Sequence, residues 1–203
     1  SLEEIRKEAE VLAGDTGHKR VIAVYGEHPS SDIRYIADTI RIMYDVVVKT
    51  RNGIGQIRRV NVNIAPISIH DLGILRDVGV GTFQVFQETY HRKTYREVHP
   101  QGTIKSNYRW RLYCHHRALE AGVDDVATGV LFGLYDWRFE VMGLLYHALD
   151  LERQFGGIGP HTVSFPRMEP AANTPFVHKT KHTVSDGDFK KVVAIIRLSI
   201  PYT

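Results

Sequence analysis

Polar and charged side chains follow each of five short apolar runs in this 203-residue sequence. They lie in the segments Gly26-Glu27-His28-Pro29, Asn61-Val62-Asn63, Gln87-Glu88-Thr89-Tyr90, Gly129 to Asp136, and Ser164-Phe165-Pro166-Arg167. Carboxylates such as Glu27 and Glu88 accept hydrogen bonds from an ammonium or from ribose hydroxyls, and Arg111 and Arg167 can bind carboxylates bidentately. Any one segment alone is more simply explained as turn chemistry. Five together favour one shared site for a zwitterionic, hydroxyl-rich ligand.

The hydrophobic periodicity predicts the elements that position these residues. Runs rich in β-branched residues predict strands at 21–25, 59–64, 82–86, 123–130 and 162–165. Helical spacing and caps predict helices from Ser1 to Gly14, after Ser31 or Asp32, and over 68–78, 108–121, 137–155 and 186–198. Residues 88–106 are predicted to be a loop, and a second long loop precedes the last helix. In helix 137–155, the stripe of Phe139, Met142, Leu145, Leu149 and Leu151 is predicted to face the core.

Strands that alternate with helices predict right-handed βαβ units and a parallel sheet, an α/β fold. Five strands make either a doubly wound open sheet or an arc of a β/α barrel, since a complete eight-fold barrel takes about 250 residues. In both architectures the ligand lies beyond the carboxyl ends of the strands, where the polar segments occur. A helix precedes the first strand, so we expect the fold to include a strand before Ser1. No linker or repeat divides the chain.

Composition excludes several classes of function. The single cysteine, Cys114, rules out an internal disulfide framework, a Cys-rich zinc module and an iron–sulfur cluster held by three or four cysteines of this chain. Neither GxGxxG nor GxxxxGK occurs, and Gly53-Ile54-Gly55 lies between a helix and a strand, on the wrong side for phosphate binding. The net charge of +3 is not concentrated in blocks, so we expect no nucleic-acid partner. We also expect no membrane partner and a cytoplasmic location.

Three other groups are weaker candidates. His178 and His182 lie in a predicted loop with two lysines between them, which indicates a solvated segment more than a metal site. His115 and His116 are adjacent in a predicted helix and face different ways, so a packed or exposed pair is the default. Cys114 is more simply a buried hydrophobe than a nucleophile.

Five strings resemble one family, in order and over nearly the whole chain: GHKRVIAVYGEHP, RRVNVNIAP, FQETYHRKTYREVHPQG, LFGLYDWRFEV and GPHTVSFPRMEPA. They resemble the radical S-adenosylmethionine (SAM) tyrosine lyases. The amino-acid sequence of these strings resembles the branch that matures di-iron hydrogenases more than it resembles the thiamine-pathway branch, 2-iminoacetate synthase. The resemblance implies a partial β/α (TIM-like) barrel of about five parallel strands, with helices outside and the ligand at the strand carboxyl ends.

The resemblance also implies a set of SAM contacts. Glu27 is expected to receive the methionyl ammonium, Glu88 the ribose hydroxyls, and Arg111 the methionyl carboxylate. Gly129, Leu131 and Gly133 resemble the GxIxGxxE motif beside the adenine, with Asp136 in place of the glutamate.

For the substrate, the resemblance implies that Arg167, with Ser164 nearby, anchors the carboxylate of tyrosine and that Asn63 lines the pocket. The implied reaction begins with reductive cleavage of SAM to a 5′-deoxyadenosyl radical. It breaks the tyrosine Cα–Cβ bond, giving p-cresol and dehydroglycine, and in the hydrogenase branch dehydroglycine goes on to carbon monoxide and cyanide.

The radical chemistry needs a 4Fe–4S cluster on a CxxxCxxC loop, and this sequence contains no such loop. Residues 1–203 are therefore expected to be the central part of a radical SAM core domain, inactive alone, with no catalytic or metal-binding residue of their own. Self-association through exposed sheet edges is a further expectation. Two alternatives stay open: a non-catalytic binding or assembly module, and a cluster-free β/α enzyme that uses Glu27, His28 and Arg167 in acid–base chemistry.

Overall fold

The computed structural model of the chain describes residues 1–174 and 176–203, so Pro175, in the loop predicted before the last helix, lies outside the described residues. In chain order the elements are α1 (Leu2–Gly14), β1 (Arg20–Val24), α2 (Ile33–Asp45), β2 (Val47–Thr50), β3 (Gly53–Gln56), β4 (Arg59–Asn63), α3 (Ile69–Asp77), β5 (Thr82–Gln84), α4 (Arg92–Val98), a single-turn 3-10 helix (Ile104–Ser106), α5 (Tyr108–Leu112), α6 (Cys114–Glu120), β6 (Asp125–Gly129), α7 (Trp137–Gln154), β7 (Thr162–Ser164) and α8 (Asp186–Ser199). Of the helices described, none is long and apolar enough to cross a membrane.

Five strands form one sheet in the order β1-β4-β5-β6-β7. The pairs β1–β4, β4–β5 and β6–β7 are parallel. Val24 at the end of β1 lies opposite Asn63 at the end of β4, and Gly129 at the end of β6 lies opposite Ser164 at the end of β7. The predicted α/β fold with five parallel strands is confirmed.

The chain divides into two compact units, of which the first contains residues 1–84 and 117–125. Its helices begin at side-chain caps that the sequence predicted. Ser1 and Glu4 form a capping box, the Asp32 carboxylate accepts from the Tyr35 N–H at 2.8 Å, and Ser68 accepts from the Asp71 N–H at 3.1 Å. Its fully buried apolar side chains include Ile36, Ile40, Val60, Val62, Leu72 and Leu75.

An antiparallel hairpin, β2–β3, occupies the part of the first unit that includes Gly53 and Gly55. The sequence analysis did not predict it. Asn52-Gly53 is a typical hairpin signal, and Gly53 has a φ of 123°. A Cβ at Gly55 would collide with the Ala13 carbonyl oxygen of α1, so the glycine permits close packing of the hairpin on that helix. The two glycines therefore serve the turn and the packing.

The second unit contains residues 85–116 and 126–203, and one apolar core holds it together. The core consists of Tyr90, Val130, Phe132, Val141, Leu144, Ala148, Val163, Val184, Val192, Ile196 and Ile200. The predicted core stripe of α7 is wrong at Phe139, Met142 and Leu149, which are exposed, and confirmed at Leu151, which is buried, and Leu145, which packs against the core. The buried face carries Glu140, Val141, Leu144, His147, Ala148 and Leu151. Because Glu140 and His147 on this face are polar, the hydrophobic pattern did not identify it as the buried face.

Two further helix predictions need correction. The stretch 88–106, predicted to be a loop, contains α4, whose seven residues bury only Thr94 and Tyr95 and so show little periodicity. The helix predicted over 108–121 is two helices, α5 and α6, separated at Tyr113 with a φ of −91° and a ψ of 15°. The Tyr113 N–H still donates to the Arg109 carbonyl at 3.0 Å, and its side chain is exposed.

Candidate cofactor and substrate site

In the first unit, two predicted site residues lie at the carboxyl ends of neighbouring strands. Glu27 follows β1 by three residues and is exposed. The turn that carries it is closed by hydrogen bonds from the Ser31 N–H to the His28 carbonyl, at 2.8 Å, and from the Ser30 N–H to the His28 imidazole, at 3.1 Å. Asn63 ends β4, and its carbonyl accepts from the Tyr25 N–H at 3.0 Å. Glu27 and Asn63 therefore lie on adjacent strand ends, as predicted.

In the second unit, Glu88 and Arg111 form an ion pair at 3.3 Å. The Arg111 side chain is only 10% exposed and the Glu88 side chain 30%. The Nε of Arg111 also donates to the Phe86 carbonyl at 2.6 Å, so the guanidinium is bound to the main chain that follows β5. Burial raises the pKa of Glu88, and the positive charge of Arg111 opposes this rise. An arginine has five N–H donors, so these two contacts leave others for a ligand carboxylate.

The backbone of Glu88 adopts a left-handed conformation, with a φ of 67°, which is unusual for a residue with a side chain. Such a conformation costs about 1–3 kcal/mol and persists only where the surroundings enforce it. The Leu131 N–H donates to the Glu88 carbonyl at 2.9 Å, and the Gln87 N–H donates to the Gly129 carbonyl at 2.9 Å. The strand ends therefore fix the main chain that carries this carboxylate.

At two glycines of the second unit, other parts of the chain pack too closely to admit a side chain. A Cβ on Gly129 would lie 2.5 Å from the Ser164 carbonyl oxygen and 2.8 Å from the Phe86 ring. Gly133 has a φ of 116°, and a Cβ there would lie 2.9 Å from the Cβ of Met168. Asp136, the acidic residue of the same motif, caps α7 by accepting from the Arg138 N–H at 2.9 Å. Its carboxylate is therefore already engaged at the helix start.

A largely apolar pocket of about 450 Å³ brings Leu131 and Arg167 together. Its other lining residues are Glu97, Val98, Leu134, Met168, Glu169, Thr174, Phe176 and Val177. The Arg167 guanidinium binds Glu169 at 2.9 Å, Asp186 at 2.5 Å and the Val184 carbonyl at 3.3 Å. Ser164 lies at the end of β7, and its carbonyl accepts from the Val130 N–H at 3.1 Å.

Sequence reasoning missed one residue beside this site, Glu140 of α7. It is fully buried, and its carboxylate accepts from the Thr89 hydroxyl and, at 2.8 Å, from the Tyr90 N–H. Burial raises the pKa of Glu140 to about 7, although hydrogen bonds from Thr89, Tyr90 and His91 oppose this rise. A signal was present in the sequence: Glu140 shares the helical spacing of Leu144, His147 and Leu151.

The weaker candidates are mostly buried. Cys114 is buried with its Sγ 3.8 Å from the Nδ1 of His115. The Nε2 of His115 lies 2.9 Å from the Ala127 carbonyl, and the Nε2 of His116 lies 2.9 Å from the Asp150 carboxylate. Burial lowers the pKa of His115 to about 4. His115 and His116 are thus a packed pair.

The residues of the second unit fit a nucleoside with a charged tail. Glu88 offers a partly exposed carboxylate, Arg111 a guanidinium, and Leu131 lines an apolar pocket, while Gly129 and Gly133 permit the close packing of the chain around these residues. A 4Fe–4S cluster does not fit the same way. Within residues 1–174 and 176–203, no group of three or more His, Cys, Asp or Glu side chains is placed to hold a metal ion.

A parallel sheet whose strand ends carry these residues matches a known class of fold. The structure superposes on methylornithine synthase over the whole chain with a TM-score of 0.72 at 19% identity, which shows the fold. A sequence profile described as the radical SAM superfamily matches residues 1–142. The chain belongs to the radical SAM superfamily.

More similar relatives are two solved structures of FeFe-hydrogenase maturases. One, HydG, is 50% identical with a TM-score of 0.93, and HydG from Carboxydothermus hydrogenoformans is 43% identical with a TM-score of 0.88. Both matches cover all of this chain and 44% of the other. The 2-iminoacetate synthase of Salmonella typhimurium is 32% identical over 116 residues, which is 57% of this chain and 30% of the relative. The chain thus spans less than half the length of these relatives.

Proposed function

We propose that this chain is the SAM-binding and substrate-binding part of a radical SAM lyase that cleaves the Cα–Cβ bond of tyrosine, in the manner of HydG. The observation that carries the proposal is the likeness to both HydG structures over the whole chain, at 43–50% identity. SAM supplies, when bound, the radical for which the superfamily is named. The residues of this chain bind and orient the two small molecules.

The proposed cofactor roles are those that the family resemblance implies, and the chemistry of the side chains is compatible with them. Glu27 receives the methionyl ammonium, and Glu88 receives the ribose hydroxyls, since an ionised carboxylate accepts both kinds of donor. Arg111 binds the methionyl carboxylate with the N–H groups that Phe86 and Glu88 do not use. Gly129, Leu131 and Gly133 lie beside the adenine, as the family motif implies. The partial burial of Glu88 and Arg111 strengthens these contacts, because a drier environment screens charge less.

The substrate role of Arg167 requires it to exchange partners. Its present acceptors, Asp186 and Glu169, have side chains that are 86% and 63% exposed. Ion pairs with such exposed carboxylates contribute about 0–1 kcal/mol, so a substrate carboxylate can replace one at little cost. The apolar wall of the pocket then faces the side chain of the amino acid. Ser164, at the end of β7, completes the proposed substrate contacts of the second unit.

The test uses the complete protein encoded at the locus, reconstituted without oxygen and supplied with SAM, tyrosine and a reductant. We expect p-cresol, with carbon monoxide and cyanide formed from the remaining two-carbon fragment. A locus without an upstream in-frame CxxxCxxC, or a reconstituted protein that forms no p-cresol, would refute the tyrosine lyase. Either result would instead support a non-catalytic binding module.

A second candidate is 2-iminoacetate synthase, favoured by the 32% identity over 116 residues. The same product analysis separates the two functions. Formation of p-cresol without carbon monoxide or cyanide would overturn the hydrogenase branch and support the thiamine branch.

We also propose that two copies of this chain associate through β1. Among the strands of residues 1–174 and 176–203, β1 pairs with β4 alone. The Tyr25 N–H bonds to β4, and in a parallel ladder alternate residues face the same neighbour, so the main-chain groups of Ile22 and Val24 point to the open edge. The side chains of Ile22 and Val24 are 56% and 73% exposed. An apolar, unpaired edge of this kind favours pairing with another chain.

A further inference from the structure

Glu140 binds two consecutive residues of the segment that follows Glu88. Its carboxylate accepts from the Thr89 hydroxyl and from the Tyr90 N–H, and the Thr89 hydroxyl oxygen in turn accepts from the His91 N–H at 3.1 Å. A carboxylate has about four acceptor positions, so it can take both donors at one point, which an apolar residue cannot do. Glu140 is therefore the element of α7 that holds this segment.

The segment needs such a hold, because the conformation of Glu88 is strained. On one side of Glu88, hydrogen bonds from Gln87 to Gly129 and from Leu131 to Glu88 fix the main chain. On the other side, Thr89 and Tyr90 both donate to Glu140, and Tyr90 is held in addition by the Tyr108 hydroxyl, which donates to its carbonyl at 2.9 Å, and by His147, whose Nδ1 lies 2.9 Å from its hydroxyl. If that side were released, Glu88 would relax from a φ of 67° toward the extended region, which ordinary residues prefer. Its carboxylate would then leave its place beside Arg111.

A buried carboxylate lowers the free energy of unfolding, so a requirement for stability alone does not explain why one holds this segment. Removing a carboxylate from water costs several kcal/mol unless hydrogen bonds compensate. A role in positioning Thr89 and Tyr90 therefore explains Glu140 better than a role in stabilising the fold.

We infer that Glu140 is a positioning residue for cofactor binding: it holds Thr89 and Tyr90 so that Glu88 keeps the left-handed conformation that presents its carboxylate to a ribose. This inference rests on the proposed function, because it takes Glu88 as the ribose ligand. Glu140 itself touches neither the nucleoside nor the reacting atoms.

The test measures how well the chain distinguishes adenosine from 2′,3′-dideoxyadenosine, which lacks both ribose hydroxyls. Adenosine is the probe because it does not need the methionyl contacts. We expect the unaltered chain to bind adenosine about tenfold more tightly than the dideoxy compound, since hydrogen bonds to a charged acceptor are among the stronger ones. Nuclear magnetic resonance titration gives both dissociation constants.

Four variants separate the possibilities. Glu88→Ala should reduce the ratio to about one. Glu140→Ala should do the same while changing the dideoxyadenosine affinity less than about twofold. Glu140→Gln should keep the ratio, because an amide oxygen accepts from Tyr90 and its NH₂ donates to Thr89. Leu144→Ala, a buried residue one turn further along α7, is the matched control and should lower stability but keep the ratio.

The outcomes are distinguishable. If the unaltered chain does not discriminate, or Glu88→Ala keeps the ratio, the ribose role of Glu88 is wrong and the role of Glu140 is refuted with it. If Glu88→Ala removes the discrimination but Glu140→Ala keeps it, the proposed function stands and the positioning role is wrong. Amide hydrogen exchange at Tyr90 gives a readout without ligand: it should accelerate in Glu140→Ala and stay slow in Glu140→Gln and Leu144→Ala.

Discussion

Replacing Glu140 by glutamine is predicted to stabilise the chain at alkaline pH and to leave its stability nearly unchanged in acid. Burial raises the pKa of Glu140 from 4.5 to about 7. Because the pKa is higher in the folded state than in the unfolded state, the folded protein favours the protonated acid. The resulting stability is complete below pH 4.5 and is lost as the pH rises to about 7.

The size of the effect follows from the difference between the two pKa values. Each pKa unit corresponds to about 1.4 kcal/mol, so the charged form lowers the free energy of unfolding by about 3 kcal/mol above pH 8. Glutamine carries no charge and keeps two of the hydrogen bonds. The Glu140→Gln variant should therefore be about 3 kcal/mol more stable than the unaltered chain at pH 8.5, and within about 0.5 kcal/mol of it at pH 4.

Urea unfolding of both proteins at the two pH values measures this difference. Glu120→Gln, at an exposed glutamate of α6, is the control and should show no pH-dependent difference from the unaltered chain. Other groups that titrate in this range, such as His115, are common to both proteins and cancel in the comparison. If Glu140→Gln were less stable than the unaltered chain at pH 8.5, the hydrogen bonds to the carboxylate would outweigh its burial and the reasoning would fail.

Three other predictions test the site and the open edge. Gly133→Ala should destabilise the chain by about 2–4 kcal/mol, more than Gly157→Ala does. Both positions have a positive φ, but only a Cβ at position 133 would contact a neighbour, Met168. Urea unfolding of both variants measures the two losses, and equal losses would exclude a packing role for Gly133. Arg167→Ala in the complete protein should abolish p-cresol formation but spare most uncoupled SAM cleavage; equal loss of both activities would contradict substrate anchoring. Val24→Lys should shift a dimer to monomer in sedimentation velocity, and a chain already monomeric at high concentration would exclude association through β1.

The elements governed by local chemistry were predicted from the sequence. Asp32, Ser68 and Ser185 begin helices because their side-chain oxygens bind main-chain N–H groups two or three residues ahead, which needs no tertiary contact. The strands were predicted because buried parallel strands are near-continuous apolar runs. The polar residues that follow them mark the strand ends in any parallel sheet, so their placement, but not their roles, could be predicted without knowledge of the packing.

The elements that depend on distant partners were not predictable in this way. The buried face of α7 contains Glu140 and His147, and hydrophobic periodicity counts both as surface residues. Both contact Tyr90, fifty or more positions earlier: the Tyr90 N–H binds Glu140, and the Tyr90 hydroxyl lies 2.9 Å from the Nδ1 of His147. A pattern that treats each residue alone assigns the wrong face to such a helix.

The positive φ of Glu88 could not be predicted from the sequence either, because sequence rules expect glycine in that conformation. A chain with only stability to satisfy would carry glycine at 88 and an apolar residue at 140, and it would avoid the strain of the first and the buried charge of the second. This chain has a carboxylate at both positions, linked through Thr89 and Tyr90. Places where local rules fail together are expected at functional sites, since the cost is borne for binding or chemistry. The pair of acids therefore supports a ligand site at Glu88 independently of the likeness to HydG.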